Sequence, residues 1–288
     1  MTGWTLALRQ PPTLRVDLRG ITPLALAGLS ALQVAQCPVV QGHDLLPLGE
    51  FFSVTARGDE ALLLDGDLSR FDRVGWQLGG GDMQVQGAVG DHAGGAMVGG
   101  QLRVQGDAGL LAACEMAGGR FEITGNVGDF AAANLPGSLD GMRGGVLIVR
   151  GNAGERFADR MRRGTALVFG DAGDFLASRL VAGTVAVGGR VGGNLGGHVG
   201  GNVGGHVGGH VGSGMRRGTV VLVTDTAAPP ATFVPAGGDA PVAWQLLARD
   251  LARLGGAGSV FAGLPQRKIK RHLGDLAADG KGELVWPQ

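Results

Sequence analysis

The sequence predicts an all-β protein, built as a right-handed parallel β-helix of about eight coils with an N-terminal cap and a C-terminal helical extension. Three observations lead to this fold class: 57 glycines among 288 residues, a 19-residue repeat, and a ladder of methionines in register with it. So much glycine is incompatible with a helical or Rossmann domain, because each glycine inside a helix costs about 1 kcal/mol relative to alanine. The glycines do not recur at every third residue, as the Gly-x-y repeat of collagen requires, so a collagen triple helix is excluded.

The repeat follows the pattern Gly-Gly-x-apolar-x-apolar-x-Gly-[Asp/Asn]-[Ala/Val]-Gly. Its second glycine falls at residues 81, 100, 119, 145, 164, 183 and 218, at steps of 19, 19, 26, 19, 19 and 35 residues. A degenerate earlier copy contains Leu62, Leu64, Gly66 and Asp67. Alternating apolar residues bounded by glycines indicate short strands with one buried face. A unit of this length cannot fold alone, so successive copies must stack as coils around a shared core.

A second column of side chains stands three residues before each second glycine: Met97, Met116, Met142, Met161, Leu180 and Met215. We expect these residues to fill the narrow interior, with glycines at the corners that require positive φ. Asp107, Asn126, Asn152 and Asp171 follow another corner glycine. They resemble a calcium ladder, but one carboxylate or amide per coil supplies too few oxygens, so backbone bonding in turns is the favoured interpretation.

Two insertions interrupt the repeat. Residues 133–140 have the composition of a surface loop. The stretch Val191 to Gly214 consists of six Gly-rich tetrads and carries His198, His206 and His210. A histidine cluster can bind zinc, copper or nickel. The glycines, however, forbid the helix on which such histidines ligate well, so the sequence favours a turn or protruding loop.

Three segments follow from the repeat: an N-terminal strand-rich cap at 1–58, the Gly-repeat β-helix at 59–224, and a linker with a C-terminal helix and extension at 225–288. The helix is predicted at Val242 to Leu254, with Val242, Leu246, Leu247, Leu251 and Leu254 on its apolar face. The basic run Arg267 to His272 is either a solvated face or a surface for an acidic partner or ligand.

The remaining features exclude several classes of function. Formal net charge is zero, which argues against nucleic acid and membrane partners. The two cysteines, Cys37 and Cys114, have no CxxC spacing, so a disulfide scaffold or thiolate zinc site is excluded, and we expect Cys114 to pack as a small hydrophobic residue. No signal peptide or membrane span is recognisable, so we expect a soluble cytoplasmic protein.

No residue is singled out for chemistry: we expect no catalytic, cofactor-binding or metal-binding residue on this chain. The outward strand positions of the coils are occupied by Gln84, Arg103, Glu122, Ile148 and Leu167. They lack the paired carboxylates that an independent β-helix carbohydrate enzyme would require. The pattern favours a scaffold.

The coil pattern resembles the Gly-repeat β-helix domain shared by two families. One is the C-terminal domain of the glutamate synthase large subunit, and the other is the C subunit of formylmethanofuran dehydrogenase. Chain length and the segment Gly274 to Leu284 (GDLAADGKGEL) are similar to the C subunit family. The bias of 22 arginines to 3 lysines suggests a GC-rich bacterial gene, and hence the formyltransferase/hydrolase complex of methylotrophs.

The resemblance implies a non-catalytic structural subunit, accompanied by an amidohydrolase-like A subunit, a B subunit and a formyltransferase D subunit. In that family a formyl group passes from formyl-tetrahydromethanopterin to a methanofuran-type carrier and is released as formate, during oxidation of formaldehyde-derived one-carbon units. Metal and carrier would lie on the partner subunits. The alternative that stays open is a glutamate-synthase-like scaffold subunit of another enzyme complex.

Overall fold

The computed structural model describes residues 3–192, 210–224, 228–236 and 240–288. The N-terminal segment contains β1 (Trp4–Leu8), β2 (Val16–Asp17), α1 (Pro23–Leu26), α2 (Ala31–Ala35), β3 (Pro38–Gln41), β4 (Asp44–Pro47) and β5 (Phe52–Ala56). The repeat region contains β6 (Leu62–Asp65), β7 (Phe71–Asp72), β8 (Asp82–Gln86), β9 (Gln101–Val104), β10 (Arg120–Ile123), β11 (Arg143–Val149), β12 (Arg163–Val168), β13 (Thr184–Val187) and β14 (Thr219–Leu222). The C-terminal segment contains β15 (Val234–Pro235), α3 (Pro241–Gly255), β16 (Ile269–Gly274) and β17 (Gly282–Pro287).

Most strands belong to one large, mostly parallel sheet, in the order β15-β16-β17-β14-β13-β12-β11-β10-β9-β8-β6-β1-β5. From β8 to β14, each strand pairs in parallel with the equivalent strand of the next repeat copy. Asp82 pairs with Gln101, Gln101 with Arg120, and Arg120 with Val146, so these strand separations equal the first three steps of the sequence motif. This arrangement is that of a β-helix-like fold; the predicted coil count and handedness stay predictions.

The interior is filled by aligned side chains from successive strands. The predicted ladder of five methionines and Leu180 is fully buried at every position. Beside it runs a second inward column, which consists of Met83, Leu102, Phe121, Leu147, Ala166, Val185 and Val220. Burying each large side chain contributes about 1.5–3 kcal/mol, so the stacked columns supply the main driving force for coil formation.

The second glycine of each repeat copy has the predicted positive φ, whereas the corner glycines before the Asp/Asn positions do not, and Gly119 shows why glycine is required at the former. Its φ is 84°, and a Cβ built on it would lie 2.5 Å from Cε of Met97 and 2.7 Å from the carbonyl oxygen of Gly99. The backbone conformation therefore disfavours a side chain, and the adjacent coil leaves no room for one.

One side of each coil is an arc of turns in which alternate residues are left-handed, although most of them are not glycine. In one coil Leu111, Ala113 and Glu115 have φ of 58°, 55° and 53°. The N–H of Leu111 donates forward to Asp129 O (2.9 Å), whereas that of Ala113 donates back to Ala93 O (2.8 Å). Left-handed backbone costs about 1–2 kcal/mol per residue, and the alternating hydrogen bonds to both neighbouring coils offset it.

Antiparallel strands close both ends of the parallel stack. At the N-terminal end β1 pairs in parallel with β6 and antiparallel with β5. At the other end β17 pairs in parallel with β14 and antiparallel with β16, which pairs antiparallel with β15. Besides strands, the N-terminal segment contains two short helices, of which α2 is held by a capping box between Ser30 and Gln33.

No helix in the described ranges is both long enough and apolar enough to cross a membrane.

Candidate functional site

The Asp/Asn positions bond the backbone, as predicted, and they do so between coils. Oδ1 of Asp107 accepts the N–H of Asn126 (2.7 Å), and Oδ1 of Asn126 accepts the N–H of Asn152 (2.9 Å). The ladder continues from Asn152 to the N–H of Asp171 (2.8 Å) and from Asp171 to that of Arg190 (2.7 Å). Each side chain is thus occupied by the next coil, which explains why this residue type recurs with the repeat.

The outer face of the sheet changes character along the rod, and α3 covers its apolar part. The outward column is polar at Gln84, Arg103 and Glu122 and becomes apolar from Ile148 onward. The apolar part packs with α3 and the segment after it in a second buried cluster: Ile148, Leu167, Ala186, Val221, Val223, Trp244, Ala248, Leu251, Phe261, Leu264 and Val285. The outer face is therefore closed over its C-terminal half.

The helix itself is confirmed, but the predicted apolar face is wrong at two positions. Val242 is 74% exposed and Leu246 is 65% exposed, whereas Trp244 and Ala248 are buried. The helix is rotated because Trp244 inserts toward the sheet and its Nε1 donates to Arg267 O (2.9 Å). This bond satisfies the indole N–H while its ring is buried.

Arg150 joins the open and covered halves of the outer face. Its guanidinium donates to Oε1 of Glu122 (2.7 and 2.9 Å) and to the carbonyl oxygen of Gly255 at the end of α3 (2.8 Å). Burial raises the pKa of Glu122, but hydrogen bonds from Arg150 and Arg120 outweigh it, so the pKa lies below its ordinary value. Glu122 is therefore a structural anion that fixes the helix to the rod.

The arc face carries partly exposed aromatic rings stacked with arginine and histidine side chains. The guanidinium of Arg156 lies 4.4 Å from the ring centre of Phe175 and 5.9 Å from that of Phe130. His210 stacks on the same Phe175 ring at 4.6 Å. Arginine and aromatic residues in such stacks are the side chains that anchor protein interfaces.

Asp159 is the buried carboxylate of this face. It is 1% exposed and accepts a hydrogen bond from Nε of Arg179 (2.9 Å), with Arg156 at 3.9 Å. Its charge is compensated from two coils at once, since Arg156 shares its own coil and Arg179 belongs to the next. The carboxylate thus orients two arginines toward the surface.

The basic run Arg267 to His272 overlaps β16 and is largely integrated into the end of the rod. Arg267 donates to Pro287 O (2.8 Å), and Arg271 pairs with Glu283. The His272 ring packs edge-on against Trp286. Lys268 and Lys270 are exposed, and the run borders an open cleft of about 620 Å³. The run is therefore mainly structural, with its lysines free to interact.

The remaining candidates for chemistry are few among the described residues. Cys114 is buried, which raises the pKa of its thiol to about 12 and makes it unreactive, as expected of a packing residue. Within the described ranges no group of three His, Cys, Asp or Glu side chains could hold a metal ion. His198 and His206 lie outside the described residues, so the metal interpretation of the tetrads is untested there.

Sequence and structure comparisons identify relatives of known context. No protein-family model matches the chain. It is 41% identical over 86 residues to the C subunit of the formyltransferase/hydrolase complex Fhc of Methylorubrum extorquens. It is also 34% identical over 84 residues to the C subunit of the molybdenum-containing formylmethanofuran dehydrogenase 1 of Methanosarcina barkeri. These alignments cover 30% and 27% of this chain, and only 32% and 28% of the two relatives.

The structural comparison extends over the whole chain. The fold matches a chain in the crystal structure of the formyltransferase/hydrolase complex (FhcABCD) of Methylorubrum extorquens in complex with methylofuran. The TM-score is 0.86 at 39% sequence identity, and the match covers 99% of both chains. Coil stack, N-terminal segment and C-terminal helix are thus shared as one unit.

Proposed function

Because the chain belongs to the family formed by the C subunits of the formyltransferase/hydrolase complex and of formylmethanofuran dehydrogenase, we propose that it is the C subunit of a hetero-oligomeric formyltransferase/hydrolase complex. The observation that carries the proposal is the full-length match at 39% identity to a chain of the FhcABCD structure. A similarity confined to the Gly repeat would support the glutamate-synthase-like alternative equally well. The match, however, also includes the segments before and after the repeat.

The complex would transfer a formyl group from formyl-tetrahydromethanopterin to a methanofuran-type carrier and release formate. Within it, this chain would act as a non-catalytic scaffold that holds an amidohydrolase-like A subunit, a B subunit and a formyltransferase D subunit. Two features support a scaffold role. The side chains of the Asp/Asn ladder accept hydrogen bonds from backbone N–H groups of the next coil, and the thiol of Cys114 is buried.

A rigid rod suits this role, because parallel coils bonded along their whole length resist bending. Partners bound at different heights would be kept at fixed separation, and the partly exposed stack of Phe130, Arg156 and Phe175 offers one contact surface. Metal and carrier would bind to the partners, where the chemistry would take place.

The test is gentle affinity purification of the tagged chain from its native host, followed by mass spectrometry and an assay of formate release from formyl-tetrahydromethanopterin. We expect co-elution of an amidohydrolase-like and a formyltransferase subunit, with activity that disappears when this chain is deleted. Co-elution with a different enzyme would favour the alternative scaffold, and a chain recovered alone would refute the proposal.

A further inference from the structure

Formal neutrality of the chain conceals a strong separation of charge along the rod. Residues 59–142 contain 12 acidic and 4 basic residues, whereas residues 143–224 contain 4 acidic and 10 basic residues. The segments before and after the repeat each carry a net charge of only +1. The first half of the coil stack is therefore strongly acidic and the second half strongly basic, and such an asymmetry creates local fields that net charge does not report.

Five arginines of the basic half gather on one corner of the coils, and we call this set the Arg corner: Arg143, Arg162, Arg163, Arg216 and Arg217. Each follows a buried methionine of the ladder by one or two residues, so the repeat itself positions them. The backbone bonds Arg162 to Met142, Val181 to Met161 and Arg216 to Leu180 place these corner positions on successive coils, and the coil between Arg163 and Arg216 carries uncharged residues at the corner. From Arg143 to Arg217 the corner extends over about 14 Å, at the ~4.8 Å spacing of strands.

The equivalent corner in the first half carries no charge. Its positions are occupied by Gly79, Val98 and Ala117. Because the same structural position accepts glycine, valine or alanine, the fold does not require arginine there. The arginines therefore serve something other than coil formation.

Most of the charge on the Arg corner is available to a partner. All five residues are exposed. Arg162 pairs with Asp140 at 2.9 Å, and Arg143 approaches Glu115 only to 3.9 Å. For the other three, the described residues contain no ion pair within 4 Å, so their cations face solvent.

The neighbouring arc supplies the second element of an interface. Arg179 and Arg156, held by buried Asp159, lie on the coils from which the corner arginines project. Phe130, 39% exposed, completes the surface with an aromatic ring. Oriented arginines beside exposed rings are typical of the central part of protein–protein interfaces, where charge complementarity selects the partner.

We propose that the Arg corner is the docking surface for an acidic face of a partner protein subunit. The inference rests on the proposed function, because it supposes that the chain assembles with other subunits. Approach of the acidic partner to the basic half is favoured over approach to the acidic half, so the charge separation orients the rod during assembly.

The test compares two triple charge reversals of the full-length tagged chain. The corner variant carries Arg163→Glu, Arg216→Glu and Arg217→Glu. The matched control carries Arg103→Glu, Arg249→Glu and Arg253→Glu, which are equally exposed residues away from the corner. Recovery of partner subunits is quantified by mass spectrometry at 50, 150 and 500 mM NaCl, and folding of each variant is checked by circular dichroism and thermal unfolding.

We expect the corner variant to recover about tenfold less partner at 150 mM NaCl than the unmodified chain, and the control to recover close to the unmodified amount. If the corner variant fails to fold, the neutral pair Arg216→Gln and Arg217→Gln replaces it, with a smaller loss expected. Unchanged recovery in a folded corner variant, or equal losses in both triples, would overturn the Arg corner while leaving the proposed function intact. Absence of any partner with the unmodified chain would overturn both.

Discussion

Replacing Gly119 with alanine tests whether the contact between coils, and not only backbone conformation, requires glycine at the corners. At φ of 84°, alanine costs about 1–2 kcal/mol through its left-handed backbone. In addition, its Cβ would lie 2.5 Å from Cε of Met97 and 2.7–2.8 Å from the carbonyl oxygens of Gly99 and Gly100. Gly100 O accepts the N–H of Arg120 (3.0 Å), so it cannot withdraw without loss of a bond between coils.

Overpacking of this kind costs about 1–3 kcal/mol, so Gly119→Ala should destabilise the protein by roughly 2–5 kcal/mol in total. Gly137→Ala is the matched control, because Gly137 has φ of 85° in a surface loop and a Cβ added there would meet no atom within 4 Å. It should lose only the conformational part, about 1–2 kcal/mol.

The assay is urea-induced unfolding of the full-length chain, followed by tryptophan fluorescence, with free energies compared between the two variants. Any entropy that alanine removes from the unfolded chain is common to both and cancels. The difference of about 1–3 kcal/mol reports the contact between coils. Equal destabilisation of the two variants would show that the corner tolerates a side chain and that the coils are less tightly stacked than described.

Three further predictions concern the core, the arc and the outer face. Met116→Asp should cost several kcal/mol, because it buries an unpaired carboxylate in the methionine ladder; a folded variant by circular dichroism would contradict an inward Met116. Arg179→Ala should destabilise the protein by about 2–4 kcal/mol, because the buried Asp159 then keeps only Arg156 as a more distant cation. Adding Asp159→Asn to this variant should restore part of the lost free energy of unfolding, and strictly additive effects of the two changes in urea unfolding would refute the coupling. Because the pKa of Glu122 in the folded protein is depressed, its ionised form stabilises the protein above the ordinary pKa near 4.5, and this contribution is lost as pH falls through the folded pKa. Glu122→Gln should therefore make the free energy of unfolding fall less steeply between pH 5 and pH 3, and equal slopes for the variant and the unmodified chain would refute the Glu122–Arg150 ion pair.

The coil interior could be predicted from the sequence because the same pattern recurs in every copy, although two insertions lengthen its spacing. A methionine or leucine three residues before a glycine, repeated in copy after copy, predicts a buried column beside a corner of positive φ. The Asp and Asn positions were equally readable as backbone-bonding residues. That each bonds the next coil, and not its own turn, depends on stacking that a single repeat does not contain.

The arc was missed because two of its three left-handed positions have no common composition, while the middle one is glycine or alanine, which are abundant throughout the chain. Leu111, Phe130 and Arg156 occupy one structural position and share nothing but their spacing. Only hydrogen bonds to both neighbouring coils make this backbone acceptable, and these bonds involve no side chain. A conformational preference read residue by residue cannot find such a feature.

The error on α3 has a different origin, although a signal was available. The outward column changes from Glu122 to Ile148 and Leu167, and this change marks where something must cover the sheet. Helical periodicity alone favoured Val242 and Leu246, whereas docking selected the face with Trp244, whose ring covers more apolar area than either. Tertiary contact decided between two adjacent apolar faces of the helix.

The antiparallel strands at both ends of the stack determine how such a protein can change in size. A pile of like coils has no inherent length, because every coil presents the same open edge to the next. Here β5 at one end and β16 at the other run against that direction, and only the two-residue strand β15 lies beyond β16, so growth stops at both boundaries. Gain or loss of a whole coil between them would leave both boundaries intact and shift one end relative to the other by ~4.8 Å. The number of coils therefore determines the distance between the two ends, and partners attached near them would be separated by a whole number of coil spacings.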